Sequence, residues 1–124
     1  MKKINIKAQV KELQLMADNV TNMSYNDPEQ KVEDEKFWMK LEELNKEAIA
    51  TGQLVGRHVS FAVADGAAHY IVVKVGKVFT QVEQLPIYDN WHYNGVYQGK
   101  IQTGIIKHRL NSDEAMKKLF SSID

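Results

Sequence analysis

The chain has 124 residues, of which 44% are hydrophobic and 26% charged, and its 16 basic residues balance its 16 acidic ones. This length suits one domain, and the composition is typical of a folded protein rather than a disordered one. Zero net charge argues against a general attraction to nucleic acid or anionic lipid, and the lack of cysteine excludes disulfides, thiolate catalysis and cysteine-ligated metal sites.

Two amphipathic helices are predicted in the first part of the chain. Apolar residues recur every three or four positions in residues 5–23, which predicts a helix with one apolar stripe. Asp27 can cap a second helix, Pro28 suits its first turn, and Gly52 suits its end. The stripe of the second helix consists of Phe37, Leu41, Leu44 and Ala48. Two such stripes predict an antiparallel helical hairpin over residues 1–52.

From Val55 onwards the hydrophobic period changes to two, which predicts strands. Asp65-Gly66 and Gly76-Lys77 suit two-residue hairpin turns, because these residues tolerate the positive φ angles that such turns require. The predicted cross-strand pairs are Phe61 with Tyr70, Val59 with Val72, Val75 with Val78 and Val73 with Thr80. One face would hold Val59, Phe61, Val63, Tyr70 and Val72, and the other Ile71, Val73, Val75, Val78 and Val82. Both faces are apolar, so the sheet must curl or be covered by helices.

The rest of the chain continues the sheet and ends in a helix. Asn94-Gly95 predicts a turn, with strand-like runs on either side that end at Ile105 and Ile106. About five short strands are expected over residues 53–110, and Ser112 can cap a short last helix over residues 111–124. We therefore expect one α+β domain, residues 1–124, with the helical hairpin packed on a small, strongly curved antiparallel sheet or SH3-like barrel.

An aromatic segment between residues 88 and 97, followed by cations, is the main candidate for a binding surface. Its rings could fill one end of the core, form a protein interface, or stack on the bases of single-stranded nucleic acid. Zero net charge disfavours the last interpretation. The candidate partner-binding residues are Tyr88, Asp89, Trp91, His92, Tyr93, Tyr97, Lys100, Lys107 and Arg109.

Little in the sequence indicates catalysis. Asp89 and His92 could form an orienting pair for acid–base chemistry, but no nucleophile or second carboxylate lies near them in sequence. In the predicted register, His58 and His69 share a face but lie about four residues apart, too far to share a metal ion. We therefore expect no catalytic residue, no metal and no cofactor.

Two further features bear on partners and location. Leu15, Met16 and Met23 lie off the first helical stripe and need cover, so a homo-oligomer through the N-terminal helices is an alternative to packing within the chain. No apolar run approaches the ~20 residues of a membrane span, and residues 1–10 lack the apolar core of a signal peptide. The expected location is therefore the cytoplasm, without membrane association.

The stretch VADGAAHYIVV, followed by QLPIYDNW, resembles small uncharacterised proteins of bacteriophages, prophages and plasmids. The matching residues within residues 55–97 are Val63, Ala64, Asp65, Gly66, Ala68, Tyr70, Asp89 and Trp91. The resemblance implies a mobile-element origin and an accessory role in a bacterial or infected host cell, but assigns no activity and no functional residue.

Together these observations predict a non-enzymatic binding module that presents the aromatic segment to a protein partner. Single-stranded nucleic-acid binding by the same surface is the alternative. A small enzyme centred on Asp89 and His92 is the third hypothesis.

Overall fold

The computed structural model describes residues 5–64, 66–88 and 92–122, with side chains described as far as Leu119. Its helices are α1 (Ile6–Asn22), α2 (Pro28–Ala50) and α3 (Thr103–Ser122), and its strands are β1 (His58–Val63), β2 (Gly66–Lys74), β3 (Phe79–Leu85) and β4 (Lys100–Gln102). The strands form one antiparallel sheet in the order β1-β2-β3-β4, curled into a half-barrel. The predicted α+β fold is confirmed.

The helix α2 begins and ends where its capping residues predict. The Asp27 carboxylate accepts the backbone N–H of Glu29 at 2.9 Å, and Pro28 occupies the first position of α2. Gly52, just beyond α2, has a φ of +69°, a conformation that glycine adopts without steric strain.

Across the described ranges, no helix combines the length and apolar character that crossing a bilayer requires.

The sheet is covered on both faces, as its two apolar faces require. One core lies between the helical hairpin and the sheet, and it includes Leu13, Phe37, Leu41, Ile71 and Leu85. The second core lies on the opposite face, where α3 packs, and it includes Val59, Tyr70, Val72, Ile101 and Ile106. Because both faces of the sheet are covered, the residues of β2 that point to either face are mainly apolar.

The predicted pairing of β1 with β2 is wrong by two residues. Val59 pairs with Tyr70 and Phe61 with Ala68, whereas a turn centred on Asp65-Gly66 would pair Phe61 with Tyr70. Because side chains alternate with a period of two, an even displacement leaves every side chain on its predicted face. Asp65 itself lies outside the described residues.

The pairing of β2 with β3 differs from the predicted register by one residue at Val72 and by two at Lys74. Val72 pairs with Val82 and Lys74 with Gln81, so the register shifts at a β-bulge between Val72 and Lys74. An odd displacement turns β3 over, and Val82 therefore packs with Val72 rather than with Ile71. Val75 and Val78, which were predicted to lie on a covered face, are exposed.

The last helix begins at Thr103 rather than near Ser112, so Ile105 and Ile106 are helical and the described sheet has four strands. The Thr103 hydroxyl donates to the Gly76 carbonyl at 2.7 Å, and its N–H donates to the Val78 carbonyl at 2.8 Å. These bonds attach the start of α3 to the β2–β3 loop. β-Branched residues favour strands only weakly, and here burial of Ile106 against the sheet outweighs that preference.

Candidate functional site

The structure divides the predicted aromatic segment among three environments. Tyr88 contacts the helical hairpin, Tyr93 packs on the opposite face of the sheet, and Tyr97 lies beside β4. Asp89 and Trp91 lie outside the described residues. The described aromatic residues therefore do not form the single surface that the sequence predicted.

Tyr88 attaches the chain after β3 to α1 and α2. Its hydroxyl donates to the Asp34 carboxylate, which also accepts the Trp38 indole N–H at 3.2 Å. Its backbone N–H donates to the Thr21 hydroxyl at 2.8 Å. Burial raises the pKa of the Tyr88 phenol above its usual range, and its hydrogen bond to Asp34 acts in the same direction. These contacts give Tyr88 a structural role.

Tyr93 fills one end of the second core, as one of the three interpretations predicted. Its ring stacks on Phe61 with centroids 4.0 Å apart and an interplanar angle of 6°. Its backbone N–H donates to the hydroxyl of Tyr70 at 3.0 Å. The turn at Asn94-Gly95, which the sequence predicted, is confirmed, and it returns the chain beneath this ring.

Of the other candidate residues, the structure brings one pair together and separates the rest. Tyr97 and Lys100 are brought together, since each accepts the other's backbone N–H at 2.9–3.0 Å. His92 and Lys107 are exposed, and Arg109 forms an ion pair with Asp113 at 2.8 Å on α3.

A cavity lies elsewhere, along the edge of β1 that pairs with no other strand in the described ranges. It has a volume of about 640 Å³ and lies between the C-terminal half of α2 and the middle of α3. We call it the β1-edge groove. Its lining residues are Asn45, Ile49, Arg57, His58, Ser60, Leu110, Asp113, Glu114, Met116, Lys117 and Lys118.

Asn45 fixes one end of this groove. Its side-chain oxygen accepts the backbone N–H of His58 at 2.9 Å and the guanidinium Nε of Arg57 at 3.0 Å. The buried Arg57 side chain also reaches Glu114 of α3 at 3.2 Å. One strand end is thereby bonded to both helices that flank the groove.

His58 and His69 form a direct pair beside the groove. His58 Nε2 lies 3.0 Å from His69 Nδ1, the rings are stacked with centroids 5.2 Å apart, and Trp38 packs edge-on against His69. Burial, with smaller contributions from His69 and Lys117, lowers the pKa of His58 to about 4.

The predicted separation of the two histidines is wrong. The displaced register makes them diagonal neighbours on β1 and β2, although sequence reasoning placed them four residues apart. His58 lies seven residues before Asp65 and His69 three residues after Gly66, so a turn centred on Asp65-Gly66 gave no signal of this contact. Within the described ranges, no three His, Asp or Glu side chains converge in an arrangement that could hold a metal ion.

A smaller cavity continues along β1 beyond the groove. It has a volume of about 260 Å³ and lies between Ala62, Val63 and Ala64 on one side and His92 and Tyr93 on the other. Two residues of the predicted site thus lie at the far end of the same strand edge.

The apolar residues of α1 that lie off its main stripe are only partly covered within the chain. Met16, which the sequence left without a partner, packs against the first core, whereas Leu15 is exposed. A homo-oligomer through these helices stays a prediction.

Comparisons with family models, curated proteins and solved structures find no match to this chain.

Proposed function

We propose that this chain is a non-enzymatic binding module that accepts an extended segment of a partner protein as an additional strand beside β1. The observation that carries the proposal is the edge of β1, which pairs with no second strand among the described residues and is flanked by the β1-edge groove and the smaller cavity. Six residues of strand offer an edge of about 20 Å. Strand addition at an exposed sheet edge is a common mode of peptide recognition.

The backbone of β1 supports this proposal. The Arg57 carbonyl accepts the N–H of Val72, so this carbonyl points towards β2. Because backbone direction alternates along an antiparallel strand, His58, Ser60 and Ala62 direct their backbone groups outwards. Asn45 already binds the His58 N–H. The next outward N–H groups, those of Ser60 and Ala62, are placed to bind a partner backbone.

The walls of the groove indicate which side chains a partner would carry. Ile49 of α2 and Met116 of α3 are 45% and 50% exposed, and both line the groove. Side chains of an added strand alternate between the two faces of the sheet. One side chain would therefore meet Ile49 and its neighbour would meet Leu110 and Met116. We expect the partner segment to carry consecutive apolar residues.

The charges that line the groove do not indicate whether the partner segment is acidic or basic. The groove presents Lys117 and Lys118 together with Asp113 and Glu114, and Glu114 already pairs with Arg57. Affinity would come from backbone hydrogen bonds and apolar burial, as in other cases of strand addition.

A cytoplasmic location and a mobile-element origin, which the sequence suggested, are part of this proposal.

A peptide-display selection against the full chain tests the proposal. Random peptides are selected on the native protein and then compared on Ser60→Pro, which removes one outward N–H. Proline is tolerated on an edge strand when its N–H would face outwards. Gln102→Pro is the matched control, because Gln102 lies in β4 at the opposite edge of the sheet.

The selected peptides should carry consecutive apolar residues, bind the Gln102→Pro control and fail to bind Ser60→Pro. Thermal unfolding checks that each variant folds, and Ala62→Pro replaces Ser60→Pro if the latter does not. Peptides that bind wild type and both β1 proline variants equally would contradict the proposal, as would a selection that enriches no sequence.

A further inference from the structure

We propose that a second surface, at the opposite side of the sheet from the β1 edge, binds single-stranded nucleic acid. We call it the lysine groove. It is formed by Lys7 and Lys11 of α1, Lys74 and Lys100 of the sheet, and the rings of Phe79 and Tyr97. This proposal is independent of the proposed strand addition, since the two surfaces share no residue.

A row of side chains across three strands forms the floor of the lysine groove. Lys74 pairs with Gln81, Gln81 pairs with Lys100, and Lys100 pairs with Tyr97. Directly paired residues of antiparallel strands project from the same face, about 5 Å apart. The row therefore presents a cation, an amide, a second cation and an aromatic ring in line. Phe79 lies one row away on the same face, since it is two residues from Gln81 along β3.

The helix α1 forms one wall of the lysine groove. A cavity of about 510 Å³ lies between Lys7 and Lys11 on α1 and the β2–β3 part of the sheet. A shallower cavity of about 170 Å³ adjoins it, and the two share Lys74 and Gln81. Together they form a continuous concave path that leads from α1 across the sheet towards β4.

The charge along this path is positive although the whole chain is neutral. Among the described residues, Lys7, Lys11, Lys74 and Lys100 form no ion pair. Of the described residues that line the two cavities, Glu83 alone carries a carboxylate, and the Gln14 side-chain amide donates to it at 3.5 Å. The local excess of cations would attract a polyanion into the groove.

Exposed rings favour a nucleic acid over other polyanions. Phe79 is 51% exposed and Tyr97 75% exposed, both beside free lysines. Bases stack on such rings whatever their sequence, and lysines in a groove bind the phosphates that connect them. An acidic peptide would use the lysines but would have no planar group for the rings. A lipid surface would need a convex face, whereas this surface is concave.

Fluorescence anisotropy of the full chain with labelled single strands tests the proposal. DNA and RNA oligonucleotides of about 12 nucleotides are titrated at several salt concentrations between about 20 and 200 mM. Four phosphate contacts predict a slope of log affinity against log salt of about −3. The double variant Lys74→Gln/Lys100→Gln should reduce the magnitude of this slope by about 1.4.

The matched control is Lys31→Gln/Lys107→Gln, which removes the same charge from exposed positions of α2 and α3. It should leave both affinity and slope close to those of the wild type. Phe79→Leu keeps an apolar side chain but removes the ring, and it should weaken binding by about fivefold or more without changing the slope. Circular dichroism confirms that each variant is folded.

Three outcomes would overturn the proposal. The first is no binding of either oligonucleotide at the lowest salt concentration. The second is an equal loss of affinity in the control double variant. The third is binding to vesicles of phosphatidylcholine with about 30% phosphatidylserine in the absence of oligonucleotide binding, which would assign the surface to anionic lipid.

Discussion

His58 Nε2 and His69 Nδ1 lie 3.0 Å apart across the first two strands, so one imidazole donates a hydrogen bond to the other. Such a bond requires at least one ring to be neutral, because two imidazolium groups have no acceptor between them. The pair is packed against Trp38, and Lys117 of α3 adds a positive charge nearby. Protonation of His58 in the folded protein is therefore unfavourable.

Acid should destabilise the fold through His58. The pKa of His58 is lowered from 6.5 to about 4 in the folded chain, so between these values the unfolded chain binds more protons. The free energy of unfolding then falls as pH decreases through this window, by at most about 3 kcal/mol. Urea unfolding of wild type and His58→Gln at several pH values measures the effect. The difference between the two proteins should depend on pH, and a constant difference would contradict the assignment.

The amide of Asn45 should contribute to stability through the two donors that it binds. Asn45→Ala leaves the His58 N–H and the Arg57 Nε without this acceptor and should lower the free energy of unfolding by about 1–3 kcal/mol. Asn45→Asp retains an acceptor oxygen at the same position. Urea denaturation should rank the aspartate variant clearly above the alanine variant, and equal losses would show that these hydrogen bonds do not matter.

The buried hydroxyl pair of Thr80 and Thr103, at the start of α3, predicts that the two threonines contribute unequally to stability. Thr103 donates to the Gly76 carbonyl, so Thr80, 2.8 Å away, must donate to Thr103. Thr103→Val removes both bonds and leaves the half-buried Gly76 carbonyl and the buried Thr80 hydroxyl unpaired, with a loss of about 1–3 kcal/mol. Thr80→Val removes one bond and should lose about 1 kcal/mol. Thermal or urea unfolding measures both. A larger loss for Thr80→Val would contradict this hydrogen-bond order.

Tyr93 should be required for stability through its ring and not through its hydroxyl. Tyr93→Ala removes the stack on Phe61 and should lower the free energy of unfolding by about 2–3 kcal/mol. Tyr93→Phe keeps the ring and the backbone N–H that binds Tyr70, and it should change stability by less than about 0.5 kcal/mol. Denaturation curves of the two variants that coincide would show that the stack contributes nothing.

The helical hairpin could be predicted from sequence because its determinants are local. Asp27, Pro28 and Gly52 act within one turn of the residues they cap, and the apolar stripes repeat regularly. The sequence also predicted that the sheet curls or is covered by helices, because the alternating residues of the strands are apolar on each face. That conclusion did not require the correct register.

The register and the last helix could not be predicted in the same way. The bulge between Val72 and Lys74 depends on cross-strand pairing, which no local pattern in the sequence reports. The start of α3 depends on bonds from Thr103 to Gly76 and Val78, which are distant in sequence. The β1-edge groove was missed for the same reason, since α2, β1 and α3 meet only in the folded chain.

Amide hydrogen exchange at β1 tests the central claim, an open strand edge that a partner strand can fill, most directly. In the free protein, the Ser60 and Ala62 amides should exchange much faster than those of Val59 and Phe61, which face β2. A peptide from the display selection should slow exchange at Ser60 and Ala62. Slow exchange at these two amides in the free protein, or no change when the peptide is bound, would contradict the claim.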